Sequence, residues 1–154
     1  MANTYSQIYV QIVFAVSGRE NLIAKEWKAE LYKFITGIVT NHGQKLLAIN
    51  GVADHVHILL NIKPSIALSD LVRDIKANSS RWINERNLVR GRFNWQEGFG
   101  AFSYSISQLD DVIDYIRRQE SHHEERTFKQ EYLAYLDRFK VDFDDRFVFD
   151  WIDE

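Results

Sequence analysis

The alternation of apolar and polar residues near the N-terminus is the feature that most constrains the fold of this chain. From residue 8 to residue 16 every second side chain is apolar, and residues 5, 7, 9 and 11 are tyrosine or glutamine. A period of two places successive side chains on opposite faces of a β-strand. We therefore predict a first strand that has one apolar face.

The rest of the chain alternates between helical and strand periods. Helices are predicted where apolar residues recur at three- and four-residue steps, and strands where β-forming residues lie between turn residues. The predicted elements, in order, are a helix over residues 24–41, a strand pair over 44–50 and 55–62, a helix capped by Ser65 or Ser69, a strand, turn and strand over 93–107, a helix from residue 109 and a more polar helix near 128–139.

The order of these elements matches a split βαββαβ unit followed by further helices. Such units form an antiparallel sheet with helices packed on one face, so we predict an α+β, ferredoxin-like fold. The chain of 154 residues has one proline and no linker-like or repeated segment. We expect a single domain over residues 1–154, which includes an acidic C-terminal segment from about residue 127.

Composition excludes several kinds of site. The chain contains no cysteine, which excludes disulfides, thiolate zinc sites and a cysteine nucleophile. No segment approaches the roughly 18 apolar residues of a membrane-spanning helix, and no basic segment precedes the apolar part of the N-terminus. The expectation is a cytoplasmic protein that has no membrane partner.

Charge is distributed unevenly along the chain, although the formal net charge is only −3. Residues 73–92 carry six basic and two acidic side chains, whereas residues 130–154 carry three basic and eight acidic ones. A basic middle favours contact with phosphate groups, and an acidic C-terminal segment argues against extensive nonspecific binding to nucleic acid. Any nucleic-acid site is therefore expected to be narrow.

Two histidines one residue apart interrupt the apolar run DHVHILLNI over residues 54–62. On a strand, Val56 and Ile58 face the helices, and His55 and His57 share the other face. The two backbone positions are then roughly 6.6 Å apart, close enough for both imidazoles to reach one cation. The alternative is a pair of polar residues on a half-solvated face, because a metal centre also needs a third ligand.

The helix predicted from residue 109 contains further reactive side chains in the sequence LDDVIDYIRRQESHHEER. Tyr115 and Gln119 are four residues apart and lie one above the other on a flank of the apolar stripe. A tyrosine at such an edge is most often a core-boundary residue that keeps its hydroxyl in water. His122 and His123 follow, and each is either a surface residue or an additional ligand.

Five segments of the chain together match a known family. They are HVHILL from residue 55, IKANSSRWINE from 75, FNWQEGFGAFSYS from 93, YIRRQESHHEERTFKQEY from 115 and DDRFVFDW from 144. With these motifs the chain resembles the single-tyrosine transposases of bacterial insertion sequences, which belong to the HUH nuclease superfamily. The resemblance covers nearly the whole chain.

This resemblance implies roles for individual residues. His55 and His57 match the pair that binds a divalent cation. Gln119 matches the third ligand, and Tyr115 matches the nucleophile. An amide oxygen suits Mg²⁺ or Mn²⁺, although an imidazole such as that of His123 is the better donor for most transition metals. The implied cofactor is therefore Mg²⁺ or Mn²⁺.

The implied activity is transposition of single-stranded DNA whose ends are marked by hairpins. The tyrosine would attack a phosphodiester and leave a 5′-phosphotyrosine link and a free 3′-hydroxyl, and a second 3′-hydroxyl would then rejoin the strand. Similar transposases are homodimers whose sheets join edge to edge and whose tyrosine helix completes the histidine site of the partner, and the sequence leaves open whether Tyr115 acts in its own chain or in the partner. Lys76, Arg81 and Arg86 on the basic helix are the candidates for phosphate contact, and a solvated helix face is the alternative for each of them.

Two other functions stay open on the sequence alone. A ferredoxin-like module could bind a nucleic-acid hairpin without catalysis, although such a module needs neither a metal nor a nucleophile. A domesticated, non-mobile relative could process repeat hairpins by the same chemistry, which the sequence does not distinguish from transposition.

Overall fold

Four strands and two long helices follow one another in the predicted order. The computed structural model describes residues 3–121 and 127–142. The βαββαβ unit consists of β1 (Tyr9–Ala15), α1 (Lys25–Asn41), β2 (Lys45–Val52), β3 (His55–Asn61), α2 (Leu68–Glu85) and β4 (Gly100–Tyr104). None of the helices within these described residues is long and apolar enough to cross a membrane.

The four strands form one sheet in the order β2-β3-β1-β4, and all neighbouring strands are antiparallel. β1 and β3 are therefore the central strands, and each is hydrogen-bonded on both edges. This strand order with two crossing helices is the ferredoxin-like arrangement, so the predicted α+β fold is confirmed.

α1 and α2 pack on one face of the sheet, where the alternation of β1 and β3 predicted the core. Ile12 and Phe14 of β1 and Ile58 and Leu60 of β3 are almost completely buried there. Each such side chain contributes about 1.5–3 kcal/mol when it is fully buried, so this layer stabilises the sheet independently of the other face. The prediction of helices on one face is confirmed for α1 and α2.

The other face of the sheet is also covered, which the sequence did not predict. α3 (Leu109–Arg117) and α4 (Phe128–Arg138) lie there. A second apolar cluster joins these helices to the sheet through Val13, Leu59, Phe102, Ile116, Tyr135 and Leu136. Gln11 of β1 and His55 and His57 of β3, which lie on this face, are therefore buried and not half-solvated.

The first half of the predicted strand pair over residues 93–107 is not a strand. Trp95 makes an isolated bridge with Val16 instead. The indole ring packs edge-on against Phe14, and its nitrogen donates to Ser79 Oγ at 2.9 Å. Burial of this large side chain under α2, and not strand pairing, therefore fixes the segment.

α3 is shorter than the predicted helix. It ends at Arg117, and Arg118 leaves helical geometry at φ −97° and ψ 22°, after which residues 119–121 are helical again. The break divides the predicted helix between the tyrosine and the glutamine that the sequence singled out. His122, His123 and the motif DDRFVFDW lie outside the described residues.

Gly51 on β2 lies so close to β3 that a larger residue does not fit. A Cβ atom at this position would lie 2.1 Å from the His55 carbonyl oxygen. We expect Gly51→Ala to lower the free energy of unfolding by about 2–3 kcal/mol in urea denaturation, because backbone strands must separate to admit the methyl group. In Gly37→Ala, the control in α1, nothing lies within 4 Å of the Cβ, and a gain of about 0.5–1 kcal/mol is expected. An unchanged stability of Gly51→Ala would contradict this strand pairing.

Candidate active site

β3 carries the two histidines on the face that α3 and α4 cover. Both residues are 0% exposed, and their ring centres lie 5.1 Å apart. Their position follows from the central place of β3 in the sheet, where His55 is opposite Ala15 and His57 is opposite Val13 of β1. The spacing of the two histidines predicted a shared face, and the structure adds that this face is closed to solvent.

A neighbouring oxygen orients each ring through its Nδ1 atom. His55 Nδ1 lies 2.6 Å from Asp54 Oδ1, and His57 Nδ1 lies 2.6 Å from Gln11 Oε1. Because these oxygens accept, each Nδ1 carries a proton and each Nε2 points into the cluster. Gln11 is itself oriented, since its amide nitrogen donates to the Tyr104 hydroxyl at 2.7 Å.

Glu131 of α4 lies between the two imidazoles, and the sequence did not predict it as a site residue. Its Oε1 atom is 2.8 Å from His57 Nε2 and 3.4 Å from His55 Nε2. Gln119 Oε1 is also 3.4 Å from His55 Nε2. Two imidazoles, one carboxylate and one amide therefore converge, and all four residues are buried.

The sequence of α4 contains a signal that could have revealed Glu131. Phe128, Glu131 and Tyr135 have the spacing of one helix face, and all three are buried. A carboxylate within an apolar stripe is rarely buried unless it has a partner. Thr127 fixes where the helix begins, because its hydroxyl accepts from the backbone nitrogen of Gln130 at 3.2 Å.

The donor atoms of this cluster fit a divalent cation. The ligand atoms of His55, His57 and Glu131 lie within 4.8 Å of one another. Each imidazole faces oxygen acceptors on both ring nitrogens, whereas a neutral imidazole has only one N–H. The arrangement therefore requires either a second proton on the ring or a cation between Nε2 and the oxygens. Mn²⁺ and Mg²⁺ both accept carboxylate and amide oxygens, and Mn²⁺ also accepts imidazole nitrogen.

The pKa of His55 shows which charge the cluster favours. Burial alone would lower this pKa, but the hydrogen bonds and charges of Asp54 and Glu131 outweigh burial, and the pKa is raised above its ordinary value. The surrounding oxygens thus stabilise a positive charge at the end of the β3 face, which is the electrostatic condition for holding a cation.

Tyr115 reaches the same cluster from α3. Its hydroxyl donates to Glu131 Oε2, and its ring centre is 6.3 Å from that of His57. Although helical geometry breaks at Arg118, Gln119 still faces the cluster, and its Nε2 lies 3.5 Å from Glu131 Oε2. The structure therefore brings Tyr115 and Gln119 to the histidines of their own chain.

A second tyrosine in the cluster is less suited to attack a substrate. The Tyr135 hydroxyl donates to Gln11 Oε1 at 3.3 Å, and burial raises the pKa of Tyr135 far above its ordinary value. Both tyrosines line a pocket that opens to solvent, but Tyr135 is only 8% exposed, whereas Tyr115 is half-buried. Tyr115 is therefore the more accessible of the two side chains.

Of the three basic residues that were predicted to contact phosphate, Lys76 and Arg81 lie on α2 and Arg86 directly follows it, on the opposite side of the sheet from this cluster. Lys76 Nζ donates to the backbone carbonyls of Gln96 and Gly98, and burial lowers the pKa of Lys76 to about 8. Arg81 donates to a side-chain oxygen of the same helix, and Arg86 lies over a tryptophan ring. Lys76 is thus engaged with the loop before β4, while Arg81 and Arg86 are exposed.

The fold and the site together resemble those of a known class of enzymes. A pair of histidines separated by one hydrophobic residue resembles the HUH motif, and it lies on a ferredoxin-like sheet beside a tyrosine. These are features of transposases and related enzymes that act on DNA. A sequence model of the family "Transposase IS200 like" matches residues 4–119, and the chain belongs to this family.

Individual relatives agree with this assignment. The ISDra2 transposase TnpA of Deinococcus radiodurans is 27% identical over 118 residues, which cover 73% of this chain and 84% of that protein. A crystal structure of a Deinococcus radiodurans R1 protein assigned as a transposase has a TM-score of 0.63 at 22% identity, and the match covers 77% of this chain and 95% of that one.

A second solved structure is similar in fold. It is a REP-associated tyrosine transposase bound to a REP hairpin, and it matches with a TM-score of 0.61 at 14% identity over 80% of this chain and 73% of that one. At such identities both structures support the fold and not the details of the site. Glu131 and α4 lie beyond the residues that the family model matches.

Proposed function

We propose that this chain is a DNA transposase that cuts and rejoins single-stranded DNA at hairpin-marked ends through a 5′-phosphotyrosine intermediate. One observation carries the proposal: the Tyr115 hydroxyl, both imidazoles and Gln119 contact the same buried carboxylate, Glu131. A nucleophile and a set of metal donors in one cluster are what this chemistry requires, and a binding module needs neither.

Four side chains would hold Mg²⁺ or Mn²⁺: His55, His57, Gln119 and Glu131. When bound, the cation would polarise a phosphate oxygen and neutralise charge that develops during attack. The chain itself supplies orientation, because the oxygens bonded to each Nδ1 keep both Nε2 atoms directed at one point. α3 and α4 keep water away from the two imidazoles, because they pack over the face of the sheet that carries both buried histidines.

Tyr115 performs the cleavage in this proposal. Its Oη attacks the phosphorus of the scissile phosphodiester, a P–Oη bond forms, and the P–O3′ bond breaks. Glu131 Oε2 accepts the tyrosine proton along their hydrogen bond and passes it to solvent, and the departing 3′ oxygen takes one proton from water. Rejoining reverses these steps: a 3′-hydroxyl attacks the phosphotyrosine, and the Tyr115 hydroxyl is restored.

The proposed substrate is a single strand that carries a hairpin. The structurally similar transposase bound to a REP hairpin supports this choice, and a buried cluster suits one strand better than a duplex. Lys76, Arg81 and Arg86 are proposed to contact phosphates of the same DNA at a distance from the reaction. A homodimer is also proposed, because β2 and β4 are the outer strands of the described sheet and can pair with a second copy.

A denaturing gel with end-labelled DNA tests this function. Protein and Mn²⁺ are mixed with a single-stranded oligonucleotide from the DNA that flanks its gene, labelled at either the 3′ or the 5′ end. The 5′-phosphotyrosine link predicts that 3′-labelled DNA migrates with the protein and that 5′-labelled DNA gives a shorter free fragment. EDTA should abolish both products, and the same sequence as a duplex should give neither.

The opposite results are also informative. Tight binding of the hairpin without any covalent product, with Mg²⁺ or Mn²⁺ present, would favour the non-catalytic binding module. A 5′-labelled adduct would mean that the tyrosine links to the other side of the broken bond and would contradict the proposed polarity.

A further inference from the structure

A pocket of about 430 Å³ lies between α3 and α4 and opens to solvent beside the candidate active site. Its lining combines rings and polar groups: Tyr104, Gln108, Asp111, Tyr115, Glu131, Tyr135 and Arg138. Tyr115 and Glu131 belong to both the pocket and the buried cluster, so the pocket leads to the attacking hydroxyl. Nothing in the proposed cleavage step uses the rest of this lining.

We propose that the pocket binds one unpaired nucleobase that carries an exocyclic amino group and lies next to the phosphate that Tyr115 attacks. This inference rests on the proposed function for the identity of the DNA strand, but the pocket has its own chemistry. Three tyrosine rings offer aromatic surface, and stacking against aromatic side chains is how unpaired bases are commonly held. The volume is sufficient for one base.

The charge of the lining favours a base over an additional phosphate. Asp111 and Glu131 both face the pocket, and Arg138 is the basic residue that lines it. A phosphate in this space would meet two carboxylates, which repel it, whereas a neutral base meets no such penalty. Phosphate binding would also leave the aromatic wall unused.

Asp111 is the residue that gives the pocket a preference among bases. It lies in the first turn of α3 and is exposed, so its carboxylate can accept hydrogen bonds from a ligand. Adenine, cytosine and guanine present an exocyclic amino group to such an acceptor, and thymine does not. Gln108 is a weaker acceptor for a base than Asp111, because its Oε1 already accepts from the Ser105 backbone nitrogen at 2.9 Å.

Nuclear magnetic resonance with mononucleotides tests the pocket without any cleavage. ¹⁵N-labelled protein is titrated with dAMP, dCMP, dTMP and 2-deoxyribose 5-phosphate. We expect dAMP and dCMP to shift backbone amides of α3 and α4 around residues 108–112 and 134–138, with dTMP weaker and the sugar phosphate without effect. Asp111→Ala should weaken dAMP and dCMP binding about tenfold and leave dTMP unchanged.

Asp110→Ala is the matched control. Both aspartates lie in the first turn of α3, so both substitutions remove the same favourable charge from the helix N-terminus, but Asp110 does not line the pocket. Nucleotide binding should therefore be unaltered in Asp110→Ala. An equal loss in both variants would overturn the role of Asp111, and equal binding of the sugar phosphate would overturn the base pocket in favour of a phosphate site.

The two proposals fail in different ways. Amide shifts with dAMP in a protein that never forms a covalent adduct support the pocket and contradict the proposed cleavage. A covalent adduct in a protein whose α3 and α4 amides never respond to any nucleotide supports the cleavage and overturns the pocket.

Discussion

Tyr115→Phe is expected to reduce the covalent protein–DNA adduct by a factor of about 1,000 or more, to the background of the gel assay. The substitution removes one oxygen atom, so the ring that packs near His57 stays in place while the attacking group is lost. The hydrogen bond to Glu131 is lost as well, but Gln119 still contacts that carboxylate. Binding of the hairpin, measured by fluorescence anisotropy, should change by less than about twofold.

A tyrosine elsewhere in the chain controls for the loss of a hydroxyl group. Tyr5 is 95% exposed, so Tyr5→Phe should form the adduct at the wild-type rate. If Tyr115→Phe still formed the adduct, the nucleophile would have to be another residue. Tyr135 would be the next candidate, although its burial and raised pKa make it a poorer nucleophile.

Glu131→Gln is expected to weaken Mn²⁺ binding about 100-fold, because the amide has nearly the shape of the carboxylate but carries no charge and has one acceptor oxygen in place of two. Within the described cluster, the other three proposed donors are neutral side chains, so the charge of Glu131 supplies most of the attraction for a cation. Electron paramagnetic resonance of free Mn²⁺ measures this affinity directly, without DNA and without turnover.

Glu30→Gln is the matched control, since Glu30 is exposed on α1 and pairs only with a nearby lysine among its described contacts. Its Mn²⁺ affinity should equal that of the wild type. Equal affinities of Glu131→Gln and the wild type would show that Glu131 is not a ligand. The carboxylate would then serve only to orient Tyr115 and the imidazoles.

The sheet was predictable from the sequence because its two central strands carry a period-two pattern. Val56 and Ile58 alternate with His55 and His57, and this alternation alone places the two imidazoles on one face. Local spacing also predicted that Tyr115 and Gln119 lie together, because residues four apart adjoin on a helix. They do lie together, but the helix breaks between them at Arg118, and both side chains contact Glu131. Each of these inferences depends on residues that are close in the chain.

The rest of the site depends on contacts between distant parts of the chain. Glu131 meets His57 only because α4 packs across the sheet, and no local period specifies that packing. Gln11 was assigned to a polar face of β1, but its bond to His57 follows from the pairing of two strands. The strand predicted around Trp95 was wrong for the same reason. The composition of the segment favoured a strand, but contact with α2, which is distant in the chain, buries the Trp95 ring.

The complete burial of His55 and His57 also limits how fast a ligand can reach these two rings. A ligand contacts these two rings only when the covering helices α3 and α4 move, although Tyr115 beside them faces a pocket that opens to solvent. Motions of packed helices take microseconds to seconds, which is far slower than the encounter of DNA with an open surface. DNA that binds beside Tyr115 and dissociates before the helices move would therefore not be cleaved.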